Sequence, residues 1–279
     1  MSNFVKKFPA ISMFILAMTI GGSMIAPMVA GLVPSDSMFL LIAAYSASLA
    51  GIILTAVVSG KAGLRKMFRR LFIWRVNIGW WVFALLAFAL LYLGGLVLAA
   101  IFSGSTPSLN LTKQLYMFIP LFIMKFFLDA GLGEELGWRG FLLPRLQARY
   151  SALIASIIVG IVWGLWHLPL FMLEGMSPTY EFGQAIGVIP ALLAYTIFIV
   201  IPYAILFTWM YNNTKGSLLL VFVFHSSQAW FELFRDPNNL FGPYLGFAAI
   251  LTVTAIIVII SSGTKNLSRK NERIILQDV

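Results

Sequence analysis

Gly131-Leu132-Gly133-Glu134-Glu135-Leu136-Gly137-Trp138-Arg139 sets two adjacent carboxylates and a guanidinium inside a long apolar run. Ionisable side chains in a hydrocarbon-length segment cost ~2.5–3.5 kcal/mol each on insertion scales, so they mark a functional site by default. How the surrounding chain shelters these charges decides the fold.

Of the 279 residues, 60% are hydrophobic and 10% are charged. A soluble globular domain carries roughly 25% charge, so the composition is that of an integral membrane protein. Nothing before Pro9 or after Ser262 is long enough to fold alone, which predicts a single membrane domain over residues 1–279. The chain contains no cysteine, which excludes disulfides, thiolate metal ligands and a cysteine nucleophile.

Working outward, the apolar segments predict an all-α, polytopic transmembrane bundle of about eight spans around an intramembrane cavity. Lys6 and Lys7 precede a first run to Leu32 that partly resembles a signal peptide but continues at spanning length. Further spans are expected at about 38–59, 78–102, 115–145, 151–173, 184–210, 217–234 and 242–262. Ser103 to Ser108 reads as a turn-rich loop and Glu174 to Gly183 as an acidic one. Pro190 and Pro202 predict kinks in the sixth span.

Charge placement tests this division. Basic loops alternate with non-basic ones, and 16 of the 19 Lys and Arg residues fall on one side, with Arg139 counted there. The positive-inside rule then puts both termini in the cytoplasm, as expected for a bacterial plasma-membrane protein. It also explains the net charge of +9 without nucleic acid. The most basic stretch, Lys61 to Arg75, alternates cations with Leu64, Phe68 and Phe72, and reads as a loop lying on anionic headgroups.

Two histidines occur in the chain, His167 and His225, both in predicted spans. Taken alone, each reads as an interhelical hydrogen-bonding residue. Together with the Glu-Glu pair they suggest chemistry. At ~1.5 Å of rise per residue, Glu134 and His225 lie ~16 Å and ~12 Å from the basic face, and His167 lies deeper at ~24 Å. Glu135 and Arg139 are at i,i+4 and can pair, leaving Glu134, about 100° away, for a different task. Lys125 and Asp129 have the same spacing and predict a structural ion pair. A carboxylate among Trp138, Trp163 and Trp166 suits a general base. Two histidines and two glutamates equally suit a divalent metal such as zinc, held by Glu134, His167 and His225. The residues leave both readings open.

Glu134-Glu135-x-x-x-Arg139, then Trp163-x-x-x-His167 within Trp-Gly-Leu-Trp-His-Leu-Pro, then His225 in a later span, resemble the three motifs of the CPBP (Abi) intramembrane proteases. That family includes the type II CAAX prenyl endopeptidases and bacteriocin-processing or immunity proteins. The resemblance covers a core of about 113–234 and implies hydrolysis of a membrane-associated peptide or protein substrate. It implies that Glu134 activates water with His167, that Glu135 and Arg139 support the site, and that His225 stabilises the oxyanion. The family has carried a metalloprotease label, so the resemblance leaves a metal open. Trp163 stands where Phe is commoner, and Ala229 stands where the third motif usually has Asn. On a continuous helix, residues 228 and 229 flank His225 by about 60° and 40°, so Gln228 can supply the missing amide.

Two other classes compete. A non-catalytic immunity or scaffold protein of the same fold draws support from Ala229. A proton-coupled transporter would use the buried charges as a relay but has no need of the Trp-Gly-Leu-Trp-His-Leu-Pro stretch.

Overall fold

The computed structural model describes residues 2–35, 38–104, 115–176, 178–234, 241–268 and 272–275. Most of the loop expected at Ser103 to Ser108 lies outside the described residues. Among the described residues the ordered elements are helices. In chain order they are α1 (Ser2–Lys7), α2 (Pro9–Val29), α3 (Met38–Ala44), α4 (Ser46–Arg69), α5 (Ile78–Ser103), α6 (Phe118–Leu128), α7 (Ala130–Glu135) and α8 (Leu143–Gln147). There follow α9 (Ala152–Trp166), α10 (Thr179–Ile186), α11 (Val188–Tyr195), α12 (Ile201–Asn213), α13 (Leu218–Ser226), α14 (Ala229–Phe234) and α15 (Phe241–Ser262).

Six helical stretches are long and apolar enough to cross a membrane, and the chain is an integral membrane helical bundle. The two stretches that carry the histidines, Ala152–Trp166 and Leu218–Phe234, are shorter. The fifth apolar segment therefore does not run as one helix to Leu173: α9 ends at Trp166, with His167 as its C-cap. Part of the expected acidic loop is also helical, since α10 begins at Thr179.

Apolar side chains are equally content with lipid or with one another, so membrane helices associate through close packing at small residues. Gly51 and Gly137 show this beside the opening motif. A Cβ at Gly51 would fall 2.6 Å from Gly137 Cα, and one at Gly137 would fall 2.2 Å from Ala47 O. With backbone on backbone, α4 braces the stretch that bears the two glutamates.

Prolines shape the helices in ways the sequence shows only in part. Leu136–Leu142 and Thr196–Val200 are π-helical, and each ends two residues before a proline, Pro144 or Pro202. A proline has no N–H for the carbonyl four residues back, and its ring crowds that carbonyl. A wider turn relieves the conflict. The carbonyl that Pro202 deprives, Phe198 O, instead accepts from Thr252 Oγ1 at 3.2 Å. Pro190 makes no interior kink. It stands in the first turn of α11, where N–H groups lack helical partners anyway, and the break falls at Gly187 with φ 93°.

Further breaks surround the site. Asp129 separates α6 from α7 with φ −140° and ψ −116°. Ser227 and Gln228 separate α13 from α14. In α4, Gly60 at φ 56° and ψ −155° bends the helix so that the basic segment leaves the axis of the preceding apolar turns. Phe72 and Trp74 there are 77% and 57% exposed, in keeping with an interfacial position.

A polar clasp that the apolar pattern does not reveal closes the other end. Gln147 and Asn212 exchange side-chain hydrogen bonds of 3.1 and 2.7 Å, and Asn212 also donates to Asn266 O at 2.8 Å. This ties α8 and α12 to the segment after α15.

Candidate active site

The helix breaks bring the expected residues to one place. Glu134 from α7, His167 from the end of α9, and His225 and Gln228 from the end of α13 all line a cavity of about 570 Å³. Glu134, His167 and His225 are each buried. His167 caps α9, where the chain turns into a 3₁₀ segment, Leu168–Phe171, and it lines the same cavity as Glu134 despite the deeper position counted along its span.

Glu134 is held at one oxygen. Its Oε2 accepts from Trp138 Nε1 at 3.0 Å and from Trp163 Nε1 at 2.6 Å. No described residue donates to Oε1, which is the oxygen left for a ligand or water. His167 Nδ1 lies 2.8 Å from Trp163 O. A carbonyl only accepts, so Nδ1 carries the proton and the neutral ring keeps its lone pair on Nε2. The rings of Trp166 and Tyr195 meet His167 edge-on, with centroids at 4.9 and 5.2 Å.

Glu135 takes the other role expected of the pair. Both its oxygens accept from Arg139 Nη1, at 2.7 and 3.0 Å, and both side chains are fully buried. Arg139 is thus a core residue and adds nothing to the basic face. Its guanidinium makes cation–π contacts to two rings, 4.6 Å from the Trp163 centroid and 4.0 Å from that of Phe207. His225 Nδ1 stands 2.7 Å from Glu135 Oε1. The approach is at ion-pair distance but off the line of a hydrogen bond, and it puts His225 beside the carboxylate.

The Lys125–Asp129 pair forms at 3.0 Å, although the helix breaks at Asp129, and Glu232 adds a second contact to the lysine at 3.5 Å. These three charges also line the cavity. The i,i+4 spacing found the first contact; Glu232 comes from another helix and leaves no trace in spacing. The indole donors on Glu134 were equally invisible, because tryptophan in an apolar run reads as packing.

Gln228 lines the cavity, whereas Ala229 is 0% exposed and does not. The chain turns between α13 and α14, with Gln228 N donating to His225 O at 3.1 Å. The angles of a continuous helix therefore do not apply here, and the turn itself brings Gln228 to the cavity wall.

Among the described residues no group of three His, Asp or Glu side chains is gathered as an ion site. Glu134 Oε2 is taken by two indoles and Glu135 by Arg139, while Glu134 Oε1 and His167 Nε2 stay open to a ligand.

Comparison with known proteins agrees with the motifs. Residues 115–231 match the family model described as Type II CAAX prenyl endopeptidase Rce1-like. A curated protein named CAAX prenyl protease 2, from Methanococcus maripaludis, is 37% identical over 109 residues, which cover 39% of this chain and 38% of that protein. The matched span holds Glu134, Glu135, Arg139, His167, His225 and Gln228 and stops short of the first three long helices and the last. Three motifs, one cavity and a matched span that holds them all point the same way: residues 115–231 of this chain are similar to the Rce1-like type II CAAX prenyl endopeptidases.

Proposed function

We propose that the chain is an intramembrane endopeptidase in which Glu134 and His167 activate a water molecule for attack on a peptide bond. The observation that carries this reading is that Glu134, held only through Oε2, and His167, with Nδ1 fixed on a carbonyl, line the same cavity. Water held between Oε1 and His167 Nε2 would give a proton to Glu134 as its oxygen attacks the carbonyl carbon. The same carboxyl would then pass that proton to the departing amine, so one group serves as base and then acid. The developing oxyanion needs donors that do not move. Gln228 offers a side-chain amide. His225 offers a ring N–H, and the Glu135 carboxylate beside its Nδ1 orients the ring. No step calls for a metal, and the site's own side chains supply base, acid and oxyanion donors.

The substrate is a membrane-associated peptide or protein, since the cavity lies among the spanning helices and is lined largely by apolar side chains. The direct test compares membrane peptides in cells that carry the parent chain or Glu134→Ala. Specific fragments are expected with the parent and absent with the variant. An identical peptide profile, together with an unchanged protective phenotype, would favour a non-catalytic protein of the same fold.

The oxyanion role of Gln228 makes a sharper prediction. Loss of one such donor typically costs ~10²–10³ in rate. Gln228→Ala should fall in that range, while Ala229→Asn should not gain activity, because position 229 is sealed in packing. If Gln228→Ala cleaves normally and Ala229→Asn cleaves much faster, the assignment of the amide is wrong.

A further inference from the structure

Trp163 touches Glu134, His167, Arg139 and His225. Its indole N–H donates to Glu134 Oε2, and its backbone carbonyl holds His167 Nδ1. One ring face lies against Arg139, 4.6 Å away, and the ring meets His225 edge-on with centroids at 5.3 Å. Packing alone would ask only for an aromatic ring here, and phenylalanine would serve. What phenylalanine lacks is the N–H, and that N–H makes the shorter of the two bonds to Glu134.

From this we infer that Trp163 is a positioning residue: with Trp138 it pins Oε2 of Glu134, which designates Oε1 as the reacting oxygen. A carboxylate has two equivalent oxygens and a soft terminal torsion, so nothing intrinsic to glutamate selects one of them. Two donors from different directions, one on the same helical stretch and one from α9, remove that freedom. The same residue's carbonyl leaves the lone pair of His167 on Nε2. Orientation of base and partner therefore passes through a single residue, and its value lies in placing the reacting atoms.

The inference rests on the endopeptidase reading for its kinetic arm, so a readout independent of turnover is needed as well. The variants are Trp163→Phe, Trp138→Phe and the pair together, in detergent-solubilised full-length protein. Either indole alone still marks Oε2, so each single variant should lose about 3–10-fold in kcat, with KM within about 2-fold. The double variant should lose more than the product of the two. In infrared difference spectra against Glu134→Gln, a carboxylate bonded at one oxygen is polarised, which separates its antisymmetric and symmetric stretches. That separation should narrow in Trp163→Phe and narrow further in the double variant. A multiplicative kinetic loss, a loss carried by KM, or unchanged carboxylate bands in folded Trp163→Phe would each overturn the inference. If Trp163→Phe fails to fold, Trp138→Phe carries the same spectral test. If the parent chain cleaves nothing while the bands shift as expected, the endopeptidase reading fails and the positioning geometry stands.

Discussion

Glu134→Gln is expected to lower the rate of peptide cleavage by about 10³–10⁴-fold while leaving the fold intact, the upper part of the range for loss of a positioned general base. The amide is nearly isosteric, and its oxygen can take over the two indole bonds that Oε2 now accepts. What it cannot do is receive a proton from water at neutral pH. Because the change also removes a buried ionisable group, the melting temperature should hold or rise slightly. Purified protein in lipid discs, a peptide recovered from the cellular comparison, and a thermal melt provide both readouts. A strong chelator added to the parent belongs in the same experiment. Unchanged cleavage is expected, since the side chains alone supply the proposed base, acid and oxyanion donors. Loss on chelation with recovery on zinc would make Glu134 a metal ligand and sink the glutamate-dependent reaction. Retained cleavage in folded Glu134→Gln would sink both.

How far the sequence led can be judged at particular residues. Apolar runs of spanning length reveal themselves, because lipid imposes both their composition and their length. Spacing found the Glu135–Arg139 and Lys125–Asp129 pairs, since i,i+4 neighbours meet on any helix. The breaks at Asp129, His167 and Gln228 were not legible, and they are what assembles the site. A break lined by a protein cavity needs no glycine or proline, because tertiary contacts can satisfy the freed backbone groups. Depth counted along each span sets His167 apart from Glu134, yet the two line one cavity. The fourth segment is expected to run as a plain span to about residue 145, yet Pro144 within it, like Pro202, accompanies one of two π turns. The donors from Trp138 and Trp163 and the Gln147–Asn212 exchange join residues whose apolar or commonplace character hides a polar task.

The largest effect on stability is expected at Arg139. Arg139→Met keeps much of the volume and apolar contact but removes the cation that faces Glu135. Both side chains of the pair are 0% exposed. A charge left uncompensated in such a place typically costs about 3–5 kcal/mol, more than the pair gains when intact, because the desolvation already incurred is no longer offset. The cation–π contacts to Trp163 and Phe207 go as well, though methionine sulfur recovers part of that contact. The single variant should therefore melt well below the parent in detergent or fail to accumulate. Removing the carboxylate too, in Glu135→Leu with Arg139→Met, should restore most of the lost stability, since two apolar residues suit this interior. It should not restore cleavage. His225 stands 2.7 Å from Glu135 and would lose the carboxylate that orients its ring. Parent-like melting with no turnover in the double variant would separate the two duties of the pair. Full activity in that variant would show that Glu135 serves the fold alone, and a stable Arg139→Met would show that water already reaches this carboxylate.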